Sequence, residues 1–137
     1  MLRINVHISF NGLQKGAFQG LSFPYIALYP SKGKKDVYRS ITDVYDETKR
    51  LYQTLVSQGY ELGTNLYQYT FNFVDHALLV SRSIQNRIKE YQFCKQFNCS
   101  PYPSLKETPA IIIEQFSVIE EEFNSCVKKK QEENNNA

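Results

Sequence analysis

The chain has 137 residues, 42% of them hydrophobic and 14% aromatic, with ten Tyr, nine Phe and no Trp. That length suits one domain able to build a core without metal or disulfide staples, and so many large rings argue against intrinsic disorder. Sixteen Lys and Arg against fourteen Asp and Glu leave a net charge of +2, too balanced for a dedicated duplex-DNA binder, so any nucleic-acid surface is confined to a local patch.

Residues 1–10 alternate strictly: Leu2, Ile4, Val6, Ile8 and Phe10 against Arg3, Asn5, His7 and Ser9. Period two predicts a strand with one apolar face. Asn11-Gly12 follows, a pair suited to a tight hairpin turn. Residues 23–29 (FPYIALY) read as a second strand, with Pro24 at its start or on an edge. Residues 30–36 (PSKGKKD) read as a loop. A helix is expected from Ser40, because Ile41, Val44, Thr48, Leu51 and Leu55 recur at three- and four-residue steps. Asp43 resembles the far half of a capping box, and Gly59 is the natural stop.

Residues 66–74 carry two patterns. Tyr67, Tyr69, Phe71 and Phe73 alternate as in a strand, whereas Leu62, Leu66, Tyr69, Phe73, Ala77, Val80 and Ile84 keep helical spacing. Strand-forming residues dominate the window, and the rival is one helix from 62 to 97, so the strand is preferred. A helix is expected over 76–97, with Asp75 as its cap. After a proline-marked loop, Thr108-Pro109 opens a last helix, with Thr as cap and Pro in the first position. Ile112, Phe116, Ile119, Phe123 and Cys126 form its seam.

These elements predict an α+β fold: a small, mainly antiparallel sheet of two or three strands (2–10, 23–29 and 66–74) packed with three helices. The alternative is a mostly helical bundle with an N-terminal β-hairpin. Residues 1–130 form one globular domain in this reading, and 131–137 a polar, disordered tail.

Cys94, Cys99 and Cys126 are odd in number, and the start of the chain is not an apolar signal. Reduced thiols and a cytoplasmic location follow as expectations. No stretch approaches the length of a membrane helix, so no membrane partner is expected. Cys94 lies eighteen positions beyond His76, about 27 Å along a continuous helix, so those two cannot form a nucleophile–base pair. Cys94-x4-Cys99 has no matching ligand pair, so no metal or other cofactor is expected. The run Glu120-Glu121-Glu122 reads as a wet helix face.

The loop 30–36 fails the phosphate-loop pattern, with Leu28 at the first Gly position and Lys35 at the Ser/Thr position. Its charge still makes it the best local candidate for binding. Lys32, Lys34, Lys35 and Arg39, with Arg82 and Lys89, form the candidate set for an anion or nucleic-acid backbone. Ile112, Phe116, Ile119 and Phe123 are the candidate protein interface, with packing inside the domain as the default.

The functional expectation is a non-catalytic structural or adaptor subunit, in a homo- or hetero-oligomer, with no small-molecule substrate. Two alternatives stand beside it: a nucleic-acid-binding accessory protein contacting RNA or DNA, and a small enzyme with an unrecognised site. One arrangement overturns the non-catalytic expectation: a histidine, a thiol and a carboxylate meeting inside a cleft.

Overall fold

A computed structural model describes residues 1–136. In chain order it contains α1 (Leu2–Asn11), β1 (Tyr25–Tyr29), β2 (Lys34–Tyr38), α2 (Ile41–Gln58), α3 (Leu62–Thr70), a short 3-10 turn (His76–Leu78), α4 (Arg82–Phe97) and α5 (Ala110–Asn135). The fold is α+β, 60% helical and 7% strand. The sheet of the described residues is one antiparallel pair, β1 with β2.

The expected strand over 2–10 is helix α1. Its alternation is two superimposed helical stripes. Ile4 and Ile8 enter one hydrophobic cluster, with the hairpin, α2 and α3. Leu2 and Val6 enter a second, with Ile88, Tyr91 and Ile119. Each pair is four apart, the spacing of one helix face. Asn5 and His7 are buried as well, so the polar positions mark no solvent side. Asn5 is fully used: its Nδ2 donates to the carbonyls of Met1 and Leu79, and its Oδ1 accepts from the N–H of Ser81. Gly12 then serves as a helix stop, not a hairpin turn. Its φ of 74° is easy only for Gly, and its N–H returns to the Ile8 carbonyl at 2.8 Å.

The strand expected at 23–29 is present as β1, entered through a cis Phe23–Pro24 bond. The expected loop 30–36 is shorter, because Lys34 already belongs to β2. Tyr25 faces Tyr38, Ile26 faces Val37, and Leu28 faces Lys35 across the pair. Tyr25, Ala27, Tyr29 and Tyr38 are buried. The contacts continue inward from the tyrosines: Tyr38 stacks on Phe73 at 5.7 Å, and the Tyr25 hydroxyl donates to the Phe73 carbonyl at 2.7 Å.

α2 runs as its periodicity predicts and ends at Gly59 in the left-handed region. Asp43 accepts from the Arg39 N–H at 2.8 Å, although Ser40 makes no side-chain cap bond. The strand expected over 66–74 is overturned, and so is the single long helix. α3 ends at Thr70, and 71–81 is turn, 3-10 helix and bend. Tyr67 and Phe73 are both buried, one from the helix and one from the turn after it, so tertiary packing produced the apparent alternation. Thr70 contributes by turning its hydroxyl back on the Leu66 and Tyr67 carbonyls.

The helix expected over 76–97 starts at Arg82, where Ser81 accepts from the Ile84 N–H. Asp75 caps the 3-10 turn instead. In α5, Pro109 is the cap residue, and Thr108 donates to the Ser104 carbonyl. The expected frayed tail is helical through Asn135; residue 137 lies outside the described residues.

Candidate functional site

The hairpin presents two unlike faces. One is the buried tyrosine face. On the other, Ile26, Leu28 and Val37 are 63%, 37% and 41% exposed, with Lys35 directly opposite Leu28. Partners in register share a face, so these four side chains form one outward ridge.

α2 anchors the turn that carries the basic residues. Buried Glu47 accepts from the Ser31 N–H at 3.1 Å and pairs with Arg50 at 3.2 Å. Burial pushes the Glu47 carboxyl above its ordinary value, and the Ser31 hydrogen bonds oppose that rise. Arg50 and Lys32 both sit over the Tyr29 ring, at 4.9 and 5.0 Å. Thus the turn is held from beneath, while Lys34, Lys35 and Arg39 remain exposed.

The six basic candidates divide between two parts of the fold. Lys32, Lys34, Lys35 and Arg39 belong to the hairpin, and Arg82 and Lys89 lie exposed on α4. β2 packs on α2, whereas α4 packs on α1 and α5. The candidate interface on α5 turns inward: Ile112 and Ile119 are buried, and Phe116 and Phe123 pack around Ile119 in the second cluster. The intramolecular default therefore describes this seam.

Sequence reasoning missed a polar cluster between α1, α3 and α5. His7 Nδ1 lies 3.4 Å from Cys126 Sγ, and His7 Nε2 lies 3.6 Å from Glu122 Oε1. Arg3 reaches the other Glu122 oxygen at 3.4 Å. The imidazole stacks on Tyr67 at 5.2 Å. α3 comes so close that a Cβ on Gly63 would land on the Glu122 carboxylate. His7 and Cys126 floor an open cleft of about 400 Å³, with Phe10, Gln14, Lys129 and Lys130 also lining it. A histidine and a thiol meet at this cleft, but Glu122, the carboxylate beside them, is buried against Arg3 and does not line it, so the arrangement that would overturn the non-catalytic expectation is met only in part. The available signal was Glu122 and Cys126 four apart on one face of α5; nothing local pointed either of them to His7.

Chemically, the thiol can donate to Nδ1 while Nε2–H faces Glu122, the order a general-base pair requires. Two features weigh against an activated thiol. Burial, with the Glu122 charge, pushes Cys126 up to about 11. Cys126 also sits inside α5, where backbone N–H groups bond within the helix and offer no donors to a developing oxyanion. His76, whose pairing with Cys94 the sequence excludes, bonds Thr70 at 2.7 Å. Among the described residues no group of three His, Cys, Asp or Glu side chains is arranged so that it could hold a metal ion, and no helix is long and apolar enough to cross a membrane.

The chain matches no family model, no curated protein and no solved structure.

Proposed function

We propose that the chain is a protein-binding subunit whose docking element is the outer face of the β1–β2 hairpin. The observation that carries this reading is the exposed Ile26, Leu28 and Val37 ridge, flanked by lysines and held rigid from below by Glu47 and Tyr29. An apolar centre with a charged rim is the anatomy of an interface. The basic rim favours an acidic, apolar segment of another protein subunit. Nucleic acid is disfavoured, because single-strand binders need rings on the open face. Here Tyr25, Tyr29 and Tyr38 all point inward. Three free cysteines suit work in a reducing, cytoplasmic setting.

The test is photo-crosslinking in cells from a benzophenone side chain at Val37, with light scattering of the purified chain across a concentration range. Crosslinks to one protein that vanish in Ile26→Asp are expected. A monomer at every concentration with no protein crosslink overturns the reading. A salt-dependent gel shift weakened by Lys34→Glu would move it to nucleic acid.

A second reading, nucleophilic chemistry at Cys126, is favoured by the thiol–imidazole contact on the cleft floor. Release of nitrophenolate from a small activated ester, lost in both Cys126→Ser and His7→Gln, would support it. Equal release by Cys126→Ser removes it.

A further inference from the structure

We propose that Cys94 and Cys99 form a redox-responsive dithiol, closed to an intramolecular disulfide by low-molecular-weight disulfides such as glutathione disulfide. The inference starts from how α4 ends. Asn98 adopts the left-handed conformation, with φ 55° and ψ 41°, and its N–H returns to the Cys94 carbonyl. The Cys99 N–H returns to the same carbonyl at 3.0 Å. This is the six-residue helix stop in which the first and last side chains come into contact, a contact usually made by two apolar residues. In this chain both positions are cysteine. The ends of such a turn lie within roughly the 4–7 Å between Cα atoms that a disulfide spans. Cys94 and Cys99 also line one shallow surface depression, together with Tyr91, Pro101 and Phe116.

Their exposures assign the two roles. Cys99 is exposed and Cys94 buried. Burial, followed by the neighbouring Cys99 thiol, holds Cys94 above its ordinary value, so Cys99 is the point of entry. The Cys99 thiolate attacks one sulfur of the reagent, whose S–S bond breaks and expels one thiolate. Cys94 then gives its proton to solvent and attacks Cys99 Sγ, expelling the second thiolate, and each expelled thiolate takes a proton. Two protein thiols are oxidised and one external disulfide is reduced to two thiols. The bond would fasten the loop after α4 to the helix, at the mouth of the groove formed by Tyr91, Leu105, Ile113 and Phe116.

The experiment equilibrates the reduced full-length chain in glutathione buffers of rising oxidised fraction, quenches with iodoacetamide, and reads intact mass and peptide maps. The expected product has lost two hydrogens, with the bond mapped to Cys94 and Cys99 and Cys126 still a thiol. Cys126→Ser should behave the same way, and Cys99→Ser should lose the product. Asn98→Gly should leave the transition in place, whereas Asn98→Val, strained in the left-handed region, should demand an oxidant ratio about tenfold higher. A stable glutathione adduct on Cys99 with Cys94 free, or a dimer linked through Cys99, overturns the proposal.

Discussion

His76 should make the chain acid-sensitive in a defined window. Its ring is 1% exposed, stacked on Phe71 at 3.7 Å, with Nε2 at 2.7 Å from the Thr70 hydroxyl. Thr70 donates its own proton to a backbone carbonyl, so Nε2–H must donate to Thr70. Nδ1 has no partner, and a second proton there would be a buried, unpaired charge. Burial accordingly lowers His76 from 6.5 to about 4, despite the opposing pull of Asp75. Between those values the unfolded chain binds a proton that the folded chain refuses. Stability is therefore complete above pH 6.5 and falls as the pH drops towards 4. A shift of this size corresponds to about 3 kcal/mol at 1.36 kcal/mol per unit. His76→Gln removes the titrating ring. Urea unfolding of both chains at several pH values between 7 and 4 reads the difference in slope, whatever the variant's absolute stability. Wild type should lose about 3 kcal/mol more than the variant over that range. Parallel curves would refute the reasoning.

Gly63→Ala should destabilise by about 1–3 kcal/mol, because the new methyl collides with Glu122; in a Glu122→Ala background most of that cost should disappear, as a double-mutant cycle by denaturant unfolding would read. Ile119→Ala should cost about 2–5 kcal/mol, since Ile119 is wholly buried where α5 meets α1 and α4. Ile111→Ala, on the open side of α5, should stay within about 0.5 kcal/mol in the same assay. Tyr25→Phe should cost about 1 kcal/mol by leaving the Phe73 carbonyl without its donor, checked by the shift in urea midpoint at constant slope.

What could be read from the residues was local. α2 was legible because a one-sided apolar stripe and Gly59 are properties of a short window. The strand at 23–29 and the intramolecular seam of α5 were legible for the same reason. α1 was not, because a helix buried on all sides has no polar stripe, and its apolar residues served two clusters at once. β2 was hidden because KKDVY buries only Tyr38; its strand character comes from pairing with β1. The hairpin ridge needs Ile26 beside Val37, a register set across the turn. His7 and Cys126 stand 119 positions apart, and their meeting depends on how α1 and α5 cross. The cysteine pair lies between these cases: both residues fall in one helix stop, and Asn98 between them was the visible sign.

The position of α1 between the clusters ties the two halves of the molecule into one melting unit. Loosening α4 and α5 strips the support from Val6, and loosening the hairpin or α2 strips it from Ile4 and Ile8, on the same turns of backbone. Deuterium should reach the hydrogen-bonded amides from Asn5 to Ile8 only when the whole chain opens, making this short segment the slowest-labelled stretch and the calorimetric trace a single peak.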